Sequence, residues 1–475
     1  MDADAFRRHG HELIDWIADY FDHLEQYPVL ARVKPGEITA ALPTHAPEDP
    51  EPFGAIMSDF ERILVPGLTQ WNHPGFLAYF PITGSAPGAL AELLTAALNQ
   101  QAMLWRTSPA ATELEAVALG WLRRLIGLPD GFEGVIYDTA SIATMHALVA
   151  AREAAIVDVR AKGLAGRSDV PRVRVYCSDQ THSSVDKGVI AIGLGLEALR
   201  KIPTDDAFRM RADALGDAIA QDRADGWLPI GVVATVGTTS TTSIDPVPEI
   251  AAVCERERLW LHVDAAYGGI AAMLPSHTHV LAGADRADSV VVNPHKWLFT
   301  PVDLSAFYCK RMDAIRSAFA ITPEYLRTRE AGDVKNLMDT GIQLARRFRS
   351  LKLWMILRWF GARAIRAHIG EHIRLAQQLV SWIDAHKDFE RLAPVPLSVV
   401  CFRWNPADAT LADAELDAAN EQLIDAVNNT GEVFLSHTRL RGRLALRIAI
   451  GHLDTADRHV RRAWELLSSH AGRLR

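Results

Sequence analysis

A short β-branched run, Asp288-Ser289-Val290-Val291-Val292, stops abruptly at Asn293-Pro294-His295-Lys296. The run reads as a buried strand. The lysine that closes it has no packing reason to be there, because lysine is almost never buried without a use. The same arrangement recurs upstream. Leu259-Trp260-Leu261-His262-Val263 leads into Asp264-Ala265-Ala266-Tyr267, and Gly231-Val232-Val233-Ala234-Thr235-Val236 into Gly237-Thr238-Thr239-Ser240. Val173-Arg174-Val175-Tyr176-Cys177 leads into Asp179-Gln180-Thr181-His182, and Gly134-Val135-Ile136-Tyr137 into Thr139-Ala140-Ser141 and a long Ala-rich helix through Arg152. Strands alternating with helices imply an α/β fold with a mostly parallel sheet covered on both faces. Ligands of such sheets bind outside the carboxyl ends of the strands. The polar clusters are therefore expected to converge in one crevice.

At 475 residues the chain is too long for one simple core. Three parts are expected. Residues 1–85 form an N-terminal helical arm, in which Leu13, Trp16, Ile17, Tyr20, Phe21 and Leu24 share one helix face. The proline-rich stretch from Pro28 to Pro52 reads as an irregular extension that packs on another lobe or another subunit. Residues 86–350 form the large strand–helix domain. Residues 351–475 form a small C-terminal domain, helical to about 387 and then containing strands at Leu397–Phe402 and Leu444–Ala449.

The net charge is 50 minus 58, or −8, which argues against a nucleic-acid partner. Cys177, Cys254, Cys309 and Cys401 are far apart and form no C-x-x-C pair, so neither a zinc cluster nor a disulfide framework is indicated. A reducing cytoplasm is the expected location. Met1-Asp2-Ala3-Asp4 opens no signal peptide. No run approaches the roughly 20 apolar residues that span a bilayer, so no membrane partner is expected.

Lys296 and Asp264 together suggest one cofactor. Pyridoxal 5'-phosphate needs a lysine amine for its Schiff base and an acid against its ring nitrogen. Taken alone, each residue has an ordinary alternative: a surface lysine opening a loop, and an aspartate capping a helix. Ala140 and Ser141 sit at a strand-to-helix turn, where free N–H groups and the positive end of a helix suit a phosphate. An N-terminus without a ligand looks the same in sequence. His182 is placed either to stack on a cofactor ring or to serve structurally. Thr239 either bonds the cofactor or belongs to a plain turn. There is no G-x-G-x-x-G after a strand, no P-loop, no H-E-x-x-H and no G-x-S-x-G. His182, His262 and His295 match no compact metal spacing, so no metal is expected.

Four segments carry a family resemblance: Asn293-Pro294-His295-Lys296-Trp297, His262-Val263-Asp264-Ala265-Ala266-Tyr267, Ser178-Asp179-Gln180-Thr181-His182-Ser183-Ser184 and Arg346-Arg347-Phe348-Arg349-Ser350-Leu351-Lys352. With Pro66-Gly67 to Trp71, Phe76 to Pro81 and Ser108 to Glu115, they resemble the aromatic L-amino acid decarboxylases, the group II pyridoxal phosphate enzymes, nearly end to end and in the family's order. The resemblance implies the aspartate-aminotransferase fold, type I. It implies Lys296 as the Schiff-base lysine, Asp264 as the ring-nitrogen partner and His182 as the stacking residue. It implies phosphate contacts from Ala140, Ser141, Asn293 and His295, and a cofactor contact from Thr239. Tyr325, in Pro323-Glu324-Tyr325-Leu326, matches the tyrosine that acts as acid after carbon dioxide leaves. Trp71, Phe80, Ile82, Met103 and Ala345 are the implied substrate-pocket residues. A homodimer is implied, its N-terminal arm lying on the partner subunit. The implied reaction converts an aromatic L-amino acid to its amine and carbon dioxide. Oxidative decarboxylation to an aldehyde on the same scaffold is the alternative. The chain departs from the pattern at Asp138 (often glycine), Ile142 (usually glutamate), Ile82, Met103 and Ala345.

Overall fold

The computed structural model describes residues 1–321, 334–408 and 411–474. Its centre is a seven-stranded sheet of order β1-β7-β6-β5-β4-β2-β3. The strands are β1 (Glu133–Tyr137), β2 (Val173–Ser178), β3 (Leu199–Ile202), β4 (Leu228–Thr235), β5 (Trp260–Asp264), β6 (Ser289–Val292) and β7 (Ser305–Cys309). From β6 to β3 every pairing is parallel. The exception is β7, which runs antiparallel between β1 and β6. Asp264 lies level with Val291 in the register, so β5 and β6 end almost together.

The pleat explains why these strands read as unbroken apolar runs. Successive side chains point to opposite faces, and both faces are covered. Val290 and Val292 belong to one hydrophobic cluster with Leu122, Leu215 and Ile250 from helices Pro109–Leu125, Ala212–Ala224 and Val247–Glu257. Val291, between them, belongs to the other, with Ala147, Val185 and Ile315 from helices Ala140–Ala155, Ser184–Ala191 and Met312–Phe319. All three valines are 0% exposed, and burying each contributes about 1.5–3 kcal/mol.

A second sheet, β10-β11-β9-β8, is antiparallel throughout. It comprises β8 (Phe389–Arg391), β9 (Val399–Trp404), β10 (Ser436–Leu440) and β11 (Arg443–Ala449). The long helix Ser350–Ala385 leads into it and breaks at Gly361, whose φ of 68° is open to glycine without strain. At the other end, the helix Ala3–Asp22 starts on Asp2, whose carboxylate accepts the Ala5 N–H at 2.8 Å, and none of its residues is buried. The proline-rich stretch contains only one short helix, Glu37–Ala41. Among the described residues no helix is long and apolar enough to cross a membrane.

Candidate active site

The carboxyl ends of the central strands deliver their polar residues to one cavity of about 170 Å³. Pro294 opens the turn beyond β6. It has no N–H to give, and it takes the first position of a single helical turn, Pro294–Trp297. Lys296 rides that turn and lines the cavity, its backbone N–H held by the Asn293 carbonyl at 2.9 Å. The neighbouring Trp297 is fully buried and donates its indole N–H to His372 Nδ1 at 3.0 Å. Three rings stack here: Trp297 on Tyr267 at 4.5 Å, and Tyr267 on Phe80 at 4.0 Å. Lys296 Nζ lies 5.0 Å from the Phe80 ring centre and has no hydrogen-bond acceptor among the described residues. Burial pushes its pKa below that of an ordinary lysine. The Asp264 carboxylate opposes that shift, and the Arg447 guanidinium adds to it.

Asp264 ends β5, is buried, and accepts the Ala266 N–H on Oδ1 at 3.1 Å. At the far side, Thr139 leads from β1 into helix Ala140–Ala155, whose N-terminus no side chain caps. Its first N–H groups have no acceptor within the helix, and Ala140 and Ser141 line the cavity. His182 lines it too. Its Nδ1 accepts the Ser184 N–H at 3.1 Å, so the neutral ring carries its proton on Nε2. Burial, then the nearby Lys296 charge, lowers its pKa.

His295 accepts the Leu304 N–H on Nδ1 at 2.9 Å, and burial followed by Lys296 pushes it down to about 4. Asn293 is fixed by the Ser305 hydroxyl, which donates to its Oδ1 at 2.7 Å. Thr239 lines the cavity, and its carbonyl accepts from Arg447 Nη2 at 2.9 Å. Gly237 closes this side. Its φ is +91°, and a Cβ there would lie 2.8 Å from the Gly268 nitrogen.

The cavity thus gathers Lys296, Asp264, His182, Ala140, Ser141, Thr239, Asn293, His295 and Phe80. Four other expected residues lie outside its lining in this single chain. Trp71 is 38% exposed and stacks on Phe76 at 4.4 Å. Ile82 and Met103 are partly buried, and Ala345 is exposed. Tyr325 lies outside the described residues. Sequence reasoning missed Tyr267 and Arg447. Tyr267 carried a signal, since it closes the Asp264-Ala265-Ala266-Tyr267 cluster. Arg447 sits mid-strand in β11, is buried, and donates to the Thr239 and Ser240 carbonyls rather than to an acid.

An amine without an acceptor, a buried carboxylate and an uncapped helix N-terminus around one cavity fit a phosphorylated pyridine aldehyde. Residues 35–405 match the family model described as the pyridoxal-dependent decarboxylase conserved domain. The chain is 37% identical over 484 residues to phenylacetaldehyde synthase of Arabidopsis thaliana, covering 100% of this chain and 97% of that one. It is 39% identical over 486 residues to aromatic-L-amino-acid decarboxylase of Sus scrofa, covering 100% and 98%. The crystal structure of Oryza sativa TDC with PLP and tryptamine superposes with a TM-score of 0.96 at 36% identity, covering 100% of this chain and 99% of that one.

Proposed function

Because the chain belongs to the pyridoxal-dependent decarboxylases, with their α/β type I fold, we propose that it takes an aromatic L-amino acid to its amine and carbon dioxide. The observation that carries this reading is the single cavity in which Lys296, Asp264 and the uncapped helix N-terminus meet. When bound, pyridoxal phosphate supplies the electron sink for the bond that breaks. Everything else falls to the chain. Lys296, its pKa lowered by burial, offers an uncharged amine as nucleophile more readily than a surface lysine. Asp264 holds a proton on the ring nitrogen. Ala140 and Ser141 hold the phosphate through backbone N–H groups, with Asn293 and His295 beside them and Thr239 as a further cofactor contact. His182 offers its Nε2–H toward the reacting centre. The Phe80–Tyr267–Trp297 stack gives the cavity an apolar wall suited to an aromatic substrate.

Tyr325 is the proposed acid that returns a proton after carbon dioxide leaves, and the aldehyde alternative turns on it. Similarity to an aldehyde synthase as well as to a decarboxylase keeps that second product in view. Trp71, Ile82, Met103 and Ala345 are the proposed remainder of the ring pocket. The working unit is proposed to be a homodimer. Helix Ala3–Asp22 buries none of its residues, and Leu90, Leu93, Leu94 and Leu98 stand 46–53% exposed along one side of helix Ala86–Leu98. The cytoplasm is the proposed location, which suits four free, buried cysteines.

The test is incubation of the pyridoxal-phosphate-loaded protein with L-tyrosine, L-dopa, L-phenylalanine and L-tryptophan, reading carbon dioxide, amine and peroxide together. Amine equal to carbon dioxide is expected, from a species of twice 52.3 kDa by light scattering. Tyr325→Phe is expected to move product toward aldehyde and peroxide. Absence of carbon dioxide from every acid would overturn the reading.

A further inference from the structure

Asp138 is the residue immediately before the Thr139-Ala140-Ser141 turn. A carboxylate there places negative charge next to the end of the cavity read as the phosphate site, where it opposes a phosphate. Yet one of its oxygens is hydrogen-bonded and the other is ion-paired. Oδ2 accepts from the Gln343 amide at 2.8 Å. Oδ1, shut off from solvent, lies 2.5 Å from Arg349 Nη2. That guanidinium also reaches Asp303, with Nε on Oδ1 at 3.0 Å and Nη2 on Oδ2 at 3.2 Å. Asp303 adjoins Leu304, whose N–H orients His295. Arg349 is only 9% exposed, so its two ion pairs are shielded.

Gln343 has no such shelter. It is exposed, two residues before Ala345. The segment around it is tied down at Gly341, where a Cβ would come within 2.8 Å of the His146 ring, and at Arg346, whose N–H donates to Gln101 Oε1 at 2.6 Å. Between those points two side chains hold it: His146, whose Nε2 accepts the Ile342 N–H at 3.4 Å, and Asp138, which accepts from Gln343 at 2.8 Å.

We propose that Asp138 is a positioning residue: it pins the Gln343–Ala345 segment to the phosphate turn, and its charge weakens phosphate binding in the process. The inference rests on reading the cavity as the cofactor site. Two effects of different origin follow. The pinning depends on a hydrogen bond at Oδ2. The repulsion depends on charge. Asn removes the second and keeps the first in reversed sense: its oxygen faces Arg349, and its NH2 donates to a turned Gln343 amide; Ala removes both.

The experiment compares wild type, Asp138→Asn and Asp138→Ala. Apo-protein is titrated with pyridoxal phosphate and with pyridoxal, which lacks the phosphate, following absorbance. The loaded enzyme is assayed for KM and kcat. Both variants are expected to raise the ratio of the pyridoxal Kd to the pyridoxal phosphate Kd by roughly threefold or more. Using the ratio cancels any general loosening of the site. Only Asp138→Ala is expected to raise the amino-acid KM, by roughly three- to tenfold, with kcat changed less. An unchanged Kd ratio overturns the proposal, as does an Asp138→Asn enzyme whose KM rises as much as that of Asp138→Ala. A wild-type protein that binds pyridoxal as tightly as pyridoxal phosphate overturns the reading of the cavity itself, and the proposal falls with it.

Discussion

Lys296 sits where two opposing influences on an amine meet. Burial and Arg447 favour the neutral form, and Asp264 favours the charged one, with burial prevailing. A free amine attacks an aldehyde and an ammonium does not, so a lower pKa shifts reactivity to lower pH. Borohydride trapping of pyridoxal on the apo-protein should therefore reach its half-maximum below the pH of about 10.4 typical of an ordinary lysine. Asp264→Asn removes the influence that raises the pKa, so its trapping curve should shift lower still. Turnover should fall by at least about 10²-fold, since the charge that steadies the ring proton is gone. A trapping midpoint for Asp264→Asn above that of the wild type would contradict this account. The residues involved were legible because they close or follow buried strands: Asp264 ends the apolar run of β5, and Asn293 and Lys296 follow the valines of β6, where a polar group has no packing role. Arg447 was not legible. It lies inside the alternating pattern of β11, and only the docking of the second sheet against the Thr239 turn turns it toward the cavity.

The elements around the site are joined by a buried ion pair. Glu115 on helix Pro109–Leu125 accepts the Ile136 N–H of β1 at 2.8 Å and Arg346 Nη2 at 2.8 Å. Arg346 also donates to the Ile136 carbonyl at 2.7 Å, and the two side chains are only 3% and 6% exposed. Glu115→Ala would strand a guanidinium away from water, at a cost of about 3–5 kcal/mol. Denaturant unfolding should register that loss, and Glu115→Ala combined with Arg346→Met should recover part of it. A single variant as stable as wild type would show the pair to be dispensable. Element patterns also mark where sequence reading stopped. β1, β2, β4 and β6 carry valine-rich or isoleucine-containing runs, β5 is an apolar run closed by Asp264, and all five were plain. β3 is an edge strand reading Leu-Arg-Lys-Ile, too polar to stand out. β7 reads Ser-Ala-Phe-Tyr-Cys, with no β-branched residue, and becomes a strand because β1 and β6 flank it on both sides. Met103 and Ala345 belong to loops held by tertiary contacts, such as Met338 N–H to the Met103 carbonyl at 3.1 Å and Ala102 N–H to the Arg346 carbonyl at 2.8 Å. No local pattern foretells such positions.

Across the whole molecule, burial holds six histidines far below their usual pKa of 6.5. His73, His146, His262, His295 and His372 fall to about 4, and His452 to about 3. The unfolded chain protonates each near 6.5, whereas the folded chain does so only near 3–4. Stability contributed by the neutral rings is therefore complete above about pH 6.5 and is lost as pH falls toward 4. Asp245 works the other way. Burial raises it to about 7 and raises Asp288, Asp339 and Asp454 as well, so their contribution improves as pH falls, but they are four groups against six. Urea midpoints should thus drop steeply between pH 6.5 and 4, with net proton uptake on unfolding. A flat profile across that range would show that the rings are charged in the folded state. The central sheet has a further consequence, one of measurement. β7 lends no side chain to the cavity lining, yet it stands between the strand that leads to Ser141 and the strand that leads to Lys296. Adjacent strands are about 4.8 Å apart, so the inserted strand sets the two ends roughly 10 Å apart instead of 5. It acts as a feeler gauge left in the gap: the span between the proposed phosphate grip and the lysine is fixed by the thickness of a strand that contributes nothing to the cavity wall.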